Sequence, residues 1–129
     1  MTEESDVTTR VSPRTVQATV ERLLRMLEAK GLKLFSVIDQ QAEAQAVGLQ
    51  LRATTIILFG NPALGTPVMD AAPLAGLDLP LKVMVWSDDG ATKVSYVAPD
   101  ALAKRHRLTD ELRDNLAGIE SLVQSLVAD

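Results

Sequence analysis

Apolar residues recur along this chain at two different spacings, and the switches between them outline its elements. Val7, Thr9 and Val11 fall on one side of an alternating run, which predicts a short strand over 7–11. Val16, Val20, Leu23, Leu24 and Leu27 follow at steps of four, three, one and three, the stripe of an amphipathic helix. Ser12-Pro13 reads as its cap and first helical residue, and Lys30-Gly31 as its end. Alternation returns over 33–38, with Leu34, Ser36 and Ile38 opposite Phe35 and Val37. Asp39 reads as the cap of a short helix over 40–47, closed by Gly48.

The segment 54–59 is β-branched and nearly continuous in apolar residues, the pattern of a strand covered on both faces. A loop, 59–69, emerges from it carrying two Gly, two Pro, Asn61 and Thr66 between apolar residues. Within it Thr66-Pro67 repeats the cap-then-proline pattern and predicts a short helix through Met69 and Ala72. Strands over 81–86 and 92–97 flank Ser87-Asp88-Asp89-Gly90-Ala91, a hairpin signal, because Asp-Gly accepts the positive φ of tight turns. A short helix over 99–106 follows. Thr109 caps a last helix whose stripe is Leu112, Leu116, Ile119, Val123, Leu126 and Val127. The sum is an α+β fold in one domain: an antiparallel sheet of four to five strands with two long helices on one face, in the order β-α-β-β-β-β-α with short extra helices. Residues 1–5 are expected to be loose.

Composition narrows the function classes. The 129 residues are 47% apolar and 23% charged, an ordinary globular balance, but only 3% aromatic, so the core must be aliphatic. A net charge of −4 disfavours nucleic acid, whose non-specific binding needs a basic surface. With no cysteine, disulfides, thiolate metal sites and thiol catalysis are excluded. The acidic start and the absence of long apolar runs predict a cytoplasmic protein with no membrane partner.

Four stretches together carry a family resemblance: Ile38-Asp39-Gln40-Gln41-Ala42-Glu43-Ala44, the Asn61-Pro62 loop, Asp78-Leu79-Pro80-Leu81-Lys82, and the run from Tyr96 through Pro99-Asp100 to His106 and Leu108. With these the chain resembles the bacterial and archaeal domain of unknown function 302 family (DUF 302). The resemblance covers about 7–108. It implies a fold similar to the TATA-binding-protein-like class, often assembled as a homodimer, and no established biochemistry. Apolar strands such as 81–97 are the expected dimer surface. Relatives often carry His where Gln40 stands and Gly where Arg107 stands. A neutral amide at Gln40 cannot titrate, so metal or proton-transfer roles do not transfer from relatives on that position.

Candidate chemistry collects at few places. Gly60 and Gly65 let backbone approach a ligand that the Asn61 amide and Thr66 hydroxyl orient; equally, both polar residues precede a proline and suit helix caps. Walker and Gly-x-Gly-x-x-Gly spacings are absent, as is a Gly-x-Ser-x-Gly elbow. His106 is the sole histidine, within Lys104-Arg105-His106-Arg107, which reads as an anion clamp or as the basic end of a short helix. One histidine cannot build a histidine-rich metal site, and Asp39, Glu43, Asp70, Asp78 and Asp100 show no ligand spacing, so no metal or other cofactor is expected. Asp39 and Glu43 form either a carboxylate pair or a cap with an exposed neighbour. Trp86 and Tyr96 are expected to face each other across the hairpin, as a packed pair or a pocket wall.

The expected function is a small-molecule-binding or interaction module. Its partly apolar pocket uses Asn61, Gly65, Thr66 and Met69, with Trp86 and Tyr96 as walls and Arg105 and His106 as polar anchors. The alternatives are an enzyme pairing His106 with Asp39 or Asp100 for acid–base work, and a sheet face serving as a platform for a protein partner.

Overall fold

The computed structural model describes residues 6–129; the expectation for residues 1–5 lies outside them. The elements are β1 (Val7–Ser12), α1 (Val16–Ala29), β2 (Lys33–Asp39), α2 (Gln40–Ala46), β3 (Thr54–Gly60), α3 (Pro62–Ala71), a 3₁₀ segment (Pro73–Leu77), β4 (Leu81–Asp88), β5 (Ala91–Val97), α4 (Pro99–His106), α5 (Asp110–Leu116) and α6 (Gly118–Leu126). The strands form one antiparallel sheet in the order β1-β5-β4-β3-β2. This is the expected α+β architecture.

Strand alternation sends Ile57, Phe59, Val83, Val85, Val94 and Tyr96 to one face, where Leu23 and Leu27 of α1 and Ile119, Leu122, Val123 and Leu126 of α6 meet them. That is the main core. A second cluster, Val68, Ala75, Leu102 and Leu116, fills the space between α3, the 3₁₀ segment, α4 and α5. The opposite sheet face has no helix among the main-core contacts, and Ile56 and Leu58 of β3 are only half-buried. So β3 is covered fully on one face, not on both as its apolar run suggests.

Local chemistry moves several boundaries. Ser12 ends β1 opposite Thr92, and its hydroxyl is taken by Thr19 at 2.8 Å. The cap of α1 is therefore Thr15, whose Oγ1 accepts from Ala18 N–H. Asp39 caps α2 as expected, accepting from Ala42 N–H at 2.9 Å. A bulge between Leu34 and Ser36 in β2 breaks the strict alternation: Leu34 pairs with Phe59 and Val37 with Ile57, so both lie on the core face. The last helix divides at Ala117, into α5 with its Thr109 cap and α6. In the hairpin, Asp89 and Gly90 take φ of 53° and 87°, the turn that Asp-Gly predicts.

The expected dimer surface is not where the exposed apolar side chains are. β4 and β5 are interior strands of the sheet. Apart from Val11, the large exposed apolar residues fall in 34–51 and 64–77, on the β2 edge, the α2–β3 connection, α3 and the 3₁₀ segment.

Candidate functional site

The 59–69 segment is mostly helix. Asn61 accepts from Ala63 N–H at 3.0 Å through Oδ1, Pro62 occupies the first turn, and α3 continues through Gly65, Thr66 and Pro67. Thr66-Pro67 thus starts no helix of its own. Pro67 stands inside α3, where it has no N–H to donate to the preceding turn. Of the residues of α3, only Val68 is buried, so one side chain anchors the helix to the second cluster. Asn115 Nδ2 adds a tether, donating to the Leu64 carbonyl at 3.2 Å.

Beneath α3 lies a cavity of about 640 Å³. Its floor combines Phe59, Ile119 and Leu122 from the main core with Leu116 from the second cluster, so it occupies the seam between the two. Phe35, Leu64 and Met69 line its walls and remain 48%, 42% and 37% exposed. The polar residues Lys30, Asn61, Thr66, Asp114, Asn115 and Ser121 are also among the lining. Such a volume and apolar balance lie within the roughly 300–1,000 Å³ range of small-molecule sites.

Of the residues singled out in the sequence, Asn61, Gly65, Thr66 and Met69 line this cavity. The other four do not. Trp86 lies on the face away from the helices, its Nε1–H donating to Ser95 Oγ at 2.9 Å, and Ser95 in turn bonds Thr9 at 2.8 Å. Tyr96 alternates with Ser95, points into the core and is 4% exposed. The two aromatics therefore occupy opposite faces and cannot wall a common pocket. Arg105 and His106 close α4. His106 Nε2 meets Asp78 Oδ2 at 2.5 Å, and Arg105 Nη1 lies 3.5 Å from Asp78 Oδ1.

The carboxylate beside His106 is thus Asp78, not Asp39 or Asp100. Asp39 is spent on capping α2, and Asp100 accepts from Arg113 Nε at 2.5 Å. Since His106 is 7% exposed and outside the cavity lining, its pairing ties α4 to the residue ending the 3₁₀ segment. Arg113 also contacts Asp114 and Glu120, and the hydrogen bond to Asp100 chiefly holds its guanidinium above its ordinary pKa. Among the described residues, no cluster of three or more potential ligands could hold a metal ion.

Lys30, Phe35, Asn115 and the α6 residues escaped the sequence reading. Lys30 and Phe35 flank a chain reversal at Gly31, and α6 joins the site from the far end of the chain. No spacing in a single sequence relates them. Asp78 and His106 are likewise 28 positions apart.

A family model described as "Domain of unknown function DUF302" matches residues 7–126. Over 107 residues the chain is 37% identical to the "Fluoride-specific ion channel FluC 1" of Brucella suis biovar 1 (strain 1330), covering 81% of this chain and 42% of that protein. It is also 37% identical to the "Fluoride-specific ion channel FluC 2" of Brucella melitensis biotype 1, covering 81% and 39%. The chain spans about two-fifths of the length of these curated relatives. A crystal structure of an uncharacterized conserved DUF302 protein from Bacillus stearothermophilus superposes with a TM-score of 0.80 over 95% of each chain, at 24% identity. That likeness is one of fold.

Proposed function

We propose, for a chain that belongs to the DUF302 family, a small-molecule-binding role seated in the cavity under α3. The observation that carries this reading is an apolar hollow of about 640 Å³ at the seam of two core clusters, ringed by a few polar side chains. Asn61 and Thr66 orient a ligand, Gly65 keeps the α3 wall thin, and Met69 supplies adaptable apolar contact. Thermal shifts across a panel of apolar metabolites test it. A compound that stabilises the parent protein should lose its effect in Leu64→Trp and Met69→Trp and keep it in His106→Ala. If no compound shifts the parent, or all three variants respond alike, the reading fails.

Self-association is proposed alongside, through the exposed apolar residues of 34–51 rather than through β4 and β5. Light scattering that gives a monomer mass at micromolar concentration removes it.

A second reading concerns setting. The curated relatives bear the name of fluoride-specific ion channels, and among the described residues no helix is long and apolar enough to cross a membrane. We read the shared segment as an accessory binding domain in those proteins, and this chain as a cytoplasmic counterpart. Deleting the segment from the Brucella suis relative should leave fluoride conduction measurable in vesicles while altering its regulation. Complete loss of conduction in a correctly inserted channel would argue against that division of labour.

A further inference from the structure

α3 turns one face to the hollow, and a glycine stands at its centre. The lining residues of this helix and its cap are Asn61, Pro62, Leu64, Gly65, Thr66 and Met69, which is Gly65 with its neighbours at steps of one, three and four. At about 100° of turn per residue, Asn61, Pro62 and Met69 fall within about 60° of Gly65 around the helix. A Cβ placed on Gly65 meets nothing within 4 Å beyond its chain neighbours and the backbone of its own helix. A side chain at this position would therefore enter the empty space that the helix lines.

Neither backbone nor packing calls for glycine here. The left-handed glycines are Gly31, Gly48 and Gly90, whereas Gly65 lies inside α3, where glycine is among the least favourable helix residues. No neighbouring segment comes close enough to exclude a Cβ. Collapse has not closed the gap either. Val68, one turn on, is anchored in the second cluster, and Asn115 Nδ2 holds the Leu64 carbonyl at 3.2 Å on the other side. What the missing side chain provides is room. The room is apolar, because peptide groups inside a helix bond to one another and the Gly65 N–H donates to the Asn61 carbonyl at 2.9 Å. The surface left for a ligand at this point is Cα–H.

We infer that Gly65 sets the size of this site: the hydrocarbon body of the ligand lies directly against α3, in the space a side chain at 65 would fill. The inference rests on the binding role proposed above and adds the residue that decides which bodies fit. N-phenyl-1-naphthylamine, a bulky uncharged apolar dye, serves as probe in fluorescence titrations of the parent, Gly65→Ala, Gly65→Phe and Ala63→Phe. Ala63 lies on the opposite side of α3 and outside the lining. Gly65→Phe should weaken dye binding at least about tenfold, the scale on which apolar pockets tell one body from another. Ala63→Phe should bind as the parent does. Gly65→Ala should melt above the parent by about 2–5 °C, because its Cβ has room and the unfolded chain loses freedom. Parent-like binding in Gly65→Phe, or an equal loss in Ala63→Phe, overturns the size role and leaves the cavity reading standing. A Gly65→Ala protein that melts below the parent overturns it as well, since glycine would then serve the fold. A parent that does not bind the dye overturns the cavity reading and this inference with it. Circular dichroism checks the folding of Gly65→Phe; should that variant not fold, the melting of Gly65→Ala decides.

Discussion

Arg14 and Arg22 meet at one acceptor, the carbonyl oxygen of Leu126, at 2.9 and 3.2 Å. Their remaining donors reach the Ala128 and Ser125 carbonyls, so two guanidinium groups close the end of α6. A helix terminus leaves several carbonyls without intrahelical partners and carries partial negative charge, which both arginines answer. Replacing Arg22 by Met should lower stability by about 1–2 kcal/mol, and Arg14 by Met similarly. The double variant should cost less than the sum, because the groups share an acceptor. Urea unfolding of the three variants measures this.

Three helices end in the same way, with a left-handed residue followed by a bond from the next N–H to the carbonyl five residues back. Gly31 and Gly48 serve α1 and α2 with φ of 68° and 79°, while α4 uses Arg107 at 55°. A glycine at position 107 would take this backbone conformation without steric cost. Arg107→Gly should stabilise the protein by about 0.5–1 kcal/mol, since relief of the left-handed strain outweighs the added freedom of the unfolded chain. Arg107→Val should destabilise it by at least as much. Thermal midpoints at equal concentration decide the sign.

His106 and Asp78 provide a test that separates scaffold from site. His106→Ala removes a nearly buried ring and leaves Asp78 with Arg105 alone, at a cost of about 1–3 kcal/mol. Ligand affinity at the α3 cavity should not change, because neither residue lines it. A large loss of affinity in a folded His106→Ala protein would mean that this pair belongs to the working site.

The Lys93 ammonium beside Asp88, 2.6 Å away, holds that carboxyl below its ordinary value, chiefly by hydrogen bonding. A depressed carboxyl pKa adds stability above the ordinary carboxylate range and loses it as pH falls through the lowered value. Asp88→Asn should therefore melt slightly below the parent at pH 7, and the two should converge toward about pH 2. A gap that persists unchanged at low pH would assign the effect to packing in the hairpin.

Where the pattern depends on neighbours in sequence, it was legible: the stripe of α1, the Asp39 cap and the Asp89-Gly90 turn all follow from local chemistry. Failures came where structure outside the short motif claimed a residue. Ser12 reads as a cap until Thr19 takes its hydroxyl, and Thr66 reads as a cap until α3 runs through it. Trp86 and Tyr96 sit ten positions apart on paired strands, and only the register reveals that they face opposite ways. Half of the expected site, Asn61 to Met69, lines the cavity; the other half was joined to it by composition rather than by geometry.

The cavity's position gives it mechanical weight. Main-core side chains of α6 and the second-cluster side chain of Leu116 in α5 share its floor, so a molecule lodged there would act as mortar between two masonry courses. Occupation should then do more than raise the melting point: it should make both halves of the interior give way together, sharpening the transition.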